Sequence, residues 1–292
     1  VEKRNSVDIV EKVLPSQTVV MKFGGQVLAS ATHFDAVADR IIARSLTAKH
    51  LVVVVSAMGK TTDQLQSLAN SVHEHPPQRD QDLLMSVGER ISMSLLAMSL
   101  AKKGVMSLSL TAGFSGVITS SHPTGEKIVE VRPGRIESAL RKGNIVIVSG
   151  FQGTNETGEI TTLGNEGPDA TAVALGIALD AKVVEFYKDA PGLFSKDPNI
   201  HPDARVIPHL SYQQAVDLIS QQSERILHKR AVEMAERNRV PLAVLPFDPL
   251  IEEKNGGSLI AEQTERRPRE KIYEHSFEVE CSLCHMTTCE HR

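Results

Sequence analysis

The first group able to do chemistry is Lys22-Phe23-Gly24-Gly25, a cation at the end of an apolar run followed by two glycines. Glycines let backbone N–H groups approach an anion with no Cβ in the way, and the lysine supplies a point charge suited to phosphate. A plain turn has the same form, and the pattern Gly, four residues, Gly-Lys-Ser/Thr occurs nowhere in the chain. A second stretch, Ser56-Ala57-Met58-Gly59-Lys60-Thr61-Thr62-Asp63, runs from aliphatic residues into hydroxyls at a helix start. Hydroxyls beside free helical N–H groups seat a carboxylate or phosphate, or form an ordinary N-cap. A third, Thr161-Thr162-Leu163-Gly164 through Asp169 and Thr171, joins a turn to a helix, where Asp169 either caps the helix or orients a lysine and a metal-bound phosphate. Near the end, Cys281, Cys284, Cys289 and His291 put four soft ligands within eleven residues. Four such ligands suit a structural Zn2+, although the last pair is closer than zinc sites favour, and an incidental exposed tail is the competing reading.

These residues need elements to hold them. Residues 18–23 read as a buried strand, 37–46 as a helix, 51–55 as a second strand and 62–69 as a second helix. Uninterrupted aliphatic strands alternating with helices call for a mainly parallel sheet covered on both faces, whose ligand sites lie beyond the carboxyl ends of the strands. Further on, 72–81 reads as a polar loop, 83–102 as one helix, 105–110 as a strand, then a glycine-bearing excursion through Gly113, Gly116 and Gly125. A helix over 132–141, a strand over 145–149, an Ala-rich helix over 169–179 and a strand over 182–187 follow. A Pro- and Asp-rich loop over 196–208 precedes helices at 211–220 and 228–238 and strands at 241–245 and 258–260. From Glu262 the composition turns to Glu, Arg, His and Cys, so the folded body is expected to end near Ile260 with a polar tail behind it.

Composition narrows the function classes. With 32 basic and 36 acidic residues the net charge is -4, which lacks the basic stripe that a nucleic-acid partner requires. The aliphatic runs have strand length, so no membrane span is expected. The first residues lack the order of a signal peptide, and the three cysteines all fall within 281–289, leaving no disulfide framework. Together these features predict a cytoplasmic protein.

Taken in order, the motifs resemble the catalytic domain of aspartokinases within the amino acid kinase family. The likeness rests on Val20-Met21-Lys22-Phe23-Gly24-Gly25, on residues 54–63, on Gly88-Glu89-Arg90-Ile91-Ser92 and on Gly150-Phe151-Gln152-Gly153. It continues through 158–164, 169–175, Asp197-Pro198 and Pro202-Asp203-Ala204-Arg205. The resemblance implies a three-layer α/β/α sandwich with a mainly parallel central sheet. It further implies an N-terminal extension over 1–17, an acceptor-binding lobe over 18–180, a nucleotide-binding lobe over 181–262 and a tail over 263–292. Its activity would be ATP- and Mg2+-dependent phosphorylation of a carboxylate or similar oxyanion, aspartate being the family substrate, in amino acid biosynthesis. By the same resemblance Lys22 stabilises the transferring phosphoryl group and Asp169 organises lysine and phosphate. Gly24 and Gly25 line the phosphate path, and Ser56, Thr62 and Glu89 form the acceptor pocket, with Glu89 near an amino group. Arg225 stands where the family has a nucleotide-phosphate lysine, and a homo-oligomer is implied. The ACT-type regulatory domains of the family fall beyond this chain, so feedback control through them is not expected.

The departures cluster in the site. The family run Arg-Gly-Gly-Ser-Asp reads Asn165-Glu166-Gly167-Pro168-Asp169, which replaces a carboxylate-clamping arginine by the neutral amide of Asn165. The family's Tyr-Thr-Asp-Val-Asp-Gly reads Tyr187-Lys188-Asp189-Ala190-Pro191-Gly192, where Asp189 is retained and Lys188 either meets phosphate or faces water. An aspartokinase with compensating contacts, a kinase for another small acceptor, and a non-enzymatic regulatory subunit are the three readings these changes leave open.

Overall fold

A computed structural model describes residues 18–120, 126–164, 167–221, 226–248, 251, 256–262 and 271–274. Its elements in chain order are β1 (Thr18–Phe23), α1 (His33–Ser45), β2 (His50–Val55), α2 (Thr61–Val72), α3 (Gln78–Met85), α4 (Val87–Lys102), β3 (Ser107–Leu110) and the single-turn α5 (Ala112–Ser115). Next come β4 (Val117–Thr119), β5 (Ile128–Val131), α6 (Gly134–Arg141), β6 (Ile145–Ser149), β7 (Gln152–Thr154), β8 (Ile160–Thr162), α7 (Gly167–Ala178) and β9 (Val183–Lys188). The chain continues through β10 (His209–Leu210), α8 (Tyr212–Gln221), α9 (Lys229–Asn238), β11 (Leu242–Pro246) and β12 (Ser258–Ile260).

The aliphatic strands assemble into one eight-stranded sheet of order β10-β12-β11-β9-β1-β2-β6-β3. From β11 to β3 all neighbours are parallel, while β12 runs antiparallel to β11 with β10 parallel to β12. Strand periodicity divides the core in two. Val20, Val52, Val54, Val184 and Phe186 face α6, α7, α8 and α9, whereas Met21, Phe23, Val53, Val55 and Tyr187 face α1 and α4. The expected α/β/α layering and mainly parallel sheet are therefore present. The chain leaves β1 toward β2 on one side and returns through β9 on the other, which makes the carboxyl ends of β1 and β9 the switch point where such sheets open a crevice.

Helix α7 lies closest to that crevice, and every one of its residues is buried. Its Ala- and Gly-rich sequence keeps it thin: a Cβ built on Gly176 would sit 2.5 Å from Cγ2 of Val184 on β9.

Three expectations are corrected. The helix expected over 83–102 starts earlier and is divided into α3 and α4 at Ser86, whose carbonyl accepts the Gln152 side-chain amide at 3.0 Å; the preceding loop shrinks to 73–77. The glycine-bearing excursion is part of a second sheet of order β5-β4-β7-β8, whose strands of three or four residues are too short to show periodicity in sequence. The body also does not end at Ile260, because Tyr273 and Glu274 are buried against it.

Segment Gln78–Lys102, contrary to the expectation of no candidate span, is long and apolar enough by composition to cross a membrane. Half of its apolar 18-residue window is buried inside the protein, and Met93, Leu96 and Leu100 pack into the layer formed with α1 and β6.

Filling the gap at Gly176 tests how tightly α7 is seated. Gly176→Ala is expected to lower stability by about 1–3 kcal/mol in urea denaturation, because the stiff Val184 side chain must give way. At a roomy helical site the same change would instead stabilise by roughly 0.5–1 kcal/mol, so the sign decides.

Candidate active site

Lys22 and Lys188 end adjacent parallel strands, and the period of two points both side chains toward α7. There Asp169, in the first turn of α7, meets them. Lys22 Nζ lies 2.6 Å from Asp169 Oδ1 and Lys188 Nζ lies 3.9 Å from Oδ2, with side-chain exposures of 6%, 16% and 1% for Lys22, Lys188 and Asp169. Burial alone would push the Asp169 carboxyl up, but the ammonium groups of Lys188 and Lys22, helped by His228, hold it well below the ordinary carboxylate range. Burial, reinforced by neighbouring Lys22, pushes the Lys188 ammonium down to about 8 against the opposing pull of Asp169.

The two lysines of this cluster line a cavity of about 270 Å³, walled from the β1 side by Lys22, Gly24, Gly25 and Gln26 and from the β9 side by Lys188, Asp189, Phe194, Asp197 and Asn199. Gly25 must be glycine here, since its Cβ would fall 2.9 Å from the carbonyl oxygen of Ala57. The arrangement offers an anion two ammonium groups and a stretch of bare backbone.

A second polar cluster lies at the ends of β2 and β6, on the α4 face of the sheet. Glu89, 2% exposed, accepts the Ala57 N–H at 3.0 Å through Oε1, next to Ser56. The beginning of α2 adjoins it, because a Cβ on Gly88 would meet Ala57 Cβ at 2.9 Å and Thr61 Cγ2 at 3.7 Å. Burial pushes the Glu89 carboxyl up to about 7, with the Ala57 N–H and the charge of Lys22 working in the other direction. Glu89 Oε2, Ser92 Oγ, Ser149 Oγ and Gln152 Oε1 are all buried without a hydrogen-bond partner among the described residues. An unpartnered carboxylate oxygen and amide oxygen beside two hydroxyls, which can accept or donate, suit a ligand that brings N–H donors.

Of the residues singled out in the sequence, the structure brings Lys22, Gly24, Gly25, Lys188 and Asp189 to one cavity, and Asp169 meets the two lysines without itself lining it. Ser56, Thr62 and Glu89 do not line that cavity; Ser56 and Glu89 belong to the second cluster, and Thr62 lies in the first turn of the adjoining α2. Asn165, Arg225 and the ligand set Cys281, Cys284, Cys289 and His291 lie outside the described residues. Among the described residues no group of three or more His, Cys, Asp or Glu side chains is assembled for a metal ion. Sequence reasoning assigned no role to Ser149, Ser92 and Gln152; the Gly88–Ser92 run was the available signal for Ser92, and the Gly150-Phe151-Gln152-Gly153 motif for its neighbour Ser149 and for Gln152.

Comparison with known proteins identifies the family. The model of the amino acid kinase family matches residues 17–246, and the chain belongs to that family. It is 45% identical over 226 residues to an aspartokinase of Geobacillus stearothermophilus, an alignment covering 77% of this chain and 55% of the relative. The chain thus spans about half the length of the curated relatives it matches. Among solved structures, the aspartate kinase of Synechocystis superposes with a TM-score of 0.76 at 35% identity, over 88% of this chain and 41% of that one. E. coli aspartokinase III in complex with aspartate and ADP shares the fold, with a TM-score of 0.73 at 23% identity over 87% of this chain and 67% of that one.

The raised Glu89 value carries a linkage consequence. Its folded value of about 7 lies above the ordinary 4.5, so the folded protein holds this proton more tightly and stability declines as pH rises between those values. Relative to Glu89→Gln, which cannot titrate, the unaltered protein is expected to lose on the order of 1–3 kcal/mol between pH 5 and pH 8. Parallel stability profiles for the two proteins would contradict this assignment.

Proposed function

We propose that this chain is the kinase body of an aspartokinase, transferring the terminal phosphoryl group of ATP to a carboxylate of aspartate. The observation that carries the reading is the buried Lys22–Asp169–Lys188 cluster, whose two lysines line a glycine-walled cavity. Support comes from relatives named aspartokinase at 45% identity and from a fold neighbour that holds aspartate and ADP.

In this reaction a carboxylate oxygen forms the new bond to the γ-phosphorus while the bond to the bridging oxygen of ADP breaks. The carboxylate is already ionised at neutral pH, so no strong base is needed and catalysis is alignment plus neutralisation of phosphate charge. Lys22 and Lys188 supply that charge, and Asp169 keeps two mutually repelling ammonium groups side by side. Glu89 with its unpartnered Oε2 takes the acceptor's ammonium group, with Ser56 and Thr62 beside it. Gly24 and Gly25 give the phosphates backbone access. Magnesium, which would help neutralise phosphate charge, fits here as an ion that enters with the nucleotide and keeps most of its waters; Asp189 and Asp197 are the carboxylates lining the cavity.

This reading places the acceptor on the 18–180 side and the nucleotide on the 181–262 side of a cytoplasmic homo-oligomer. Asn165 in place of an arginine favours including other oxyanion acceptors in the assay panel.

Acyl phosphate formed with ATP and magnesium is trapped by hydroxylamine as a hydroxamate. Aspartate is expected to give it, and Lys22→Ala and Asp169→Asn are each expected to lower kcat by roughly 10²–10³-fold. Nucleotide binding with no turnover on any acceptor would point to a regulatory subunit instead.

A pH profile addresses Lys188 separately. Because its ammonium titrates near 8 in the free protein, kcat/KM for the nucleotide is expected to fall above that pH. Lys188→Met should lower the plateau and remove that limb; an unchanged limb would assign the titration to another group.

A further inference from the structure

We infer that Arg230 is a positioning residue for the Leu163 backbone ahead of α7, and that residues 271–274 form a strap that holds Arg230 in place. Arg230, in the first turn of α9, directs Nε and Nη2 at the two carboxylate oxygens of Glu274, the second contact measuring 2.8 Å. Its remaining donors reach backbone: Nη1 donates to the Leu163 carbonyl at 3.1 Å and Nη2 to the Glu126 carbonyl at 2.9 Å. Glu274, 2% exposed, also accepts the Ile128 N–H at 2.6 Å.

The rest of the strap is anchored independently. The Asn238 side chain donates to the Ile272 carbonyl at 2.7 Å and accepts the Ile272 N–H at 2.9 Å. Lys271 Nζ donates to the Ala178 carbonyl at 2.7 Å, at the last residue of α7, where the helix dipole favours a cation. Four consecutive residues therefore reach the last carbonyl of α7 directly and, through Arg230, the Leu163 backbone, four residues before the helix begins and six before Asp169.

A buried ion pair is weak evidence for stability, since an apolar pair of similar volume often serves as well. What the guanidinium supplies that an apolar side chain cannot is a rigid fork joining a carboxylate and two carbonyls. The Leu163 backbone it steadies leads to Gly164, whose carbonyl accepts the Gly167 N–H at the start of α7 at 2.8 Å, and α7 carries Asp169, whose 2.6 Å contact sets the Lys22 ammonium. Small axial shifts of α7 are therefore translated directly into the geometry of the lysine pair. Strap engagement is in this way a control on the site, exerted by a segment about a hundred residues distant in sequence.

The experiment compares the full chain with Glu274→Gln, which keeps an acceptor for the Ile128 N–H but removes the charge, and with Arg230→Lys, which keeps the charge but loses the fork. Amide hydrogen exchange followed by mass spectrometry needs no substrate, so it stands whether or not the proposed reaction is correct. In both variants peptides covering 160–171 are expected to exchange roughly ten-fold faster while β1 and β2 are unchanged. The kinetic arm, which rests on the proposed phosphoryl transfer, should show kcat lowered roughly ten-fold with the nucleotide KM nearly constant. Unchanged exchange at 160–171, or faster exchange spread evenly through β1 and β2, would overturn the inference. Should Glu274→Gln fail to fold, Arg230→Lys gives the same two readings.

Discussion

A carboxylate sealed in a protein interior normally gives up its charge, and Asp169 keeps it only because two ammonium groups arrive beside it from neighbouring strands. The dependence is mutual. Lys22 and Lys188 could not share one crevice without the anion between them, since two like charges in a poorly solvated site repel strongly. The cluster as a whole carries one excess positive charge, and that excess is what a phosphate group would meet. The seating of α7 on the sheet contributes to this arrangement, through the bare Gly176 against Val184.

The sheet separates two kinds of chemistry by face. Along β9, Lys188 turns toward α7 while Glu185 and Tyr187 turn toward α1. On that opposite face Arg44 pairs with Glu185 at 3.0 Å, the Tyr187 hydroxyl donates to the same carboxylate at 3.1 Å, and Tyr187 stacks on Phe23 at 4.9 Å. Burial pushes the Glu185 carboxyl up, and Arg44 counters it. This is a fixed, saturated network, whereas the Glu89 cluster on the α4 side retains unpartnered acceptors. Saturation suits a scaffold; leftover acceptors suit a binding site. The two site clusters approach each other only at the carboxyl edge of the strands, where Lys22 is close enough to influence Glu89.

The strap extends the same logic outward. Arg230 touches neither cavity lining nor the lysine pair, yet it joins Glu274, Glu126 and Leu163 into one unit behind the helix that carries Asp169. Fixing a reactive geometry from behind, by groups whose own positions are over-determined, is the usual physical route to a preorganised site.

By itself the sequence determined the parallel strands, the glycine turn after Lys22, the buried helix of Asp169 and the family motifs, because each is written in local composition or in residues close together in the chain. It could not decide whether Lys188 faced phosphate or water, since that depends on the phase of β9 against β1 and on which helix covers that face. The division at Ser86, the short second sheet and the burial of Glu274 were likewise left to the tertiary structure. Each arises from a partner far away in sequence: Gln152 for Ser86, paired three-residue strands for the small sheet, and Arg230 for Glu274. Local patterns specify elements, but a charge is kept or lost inside a protein according to what stands opposite it, and only the folded chain supplies that neighbour.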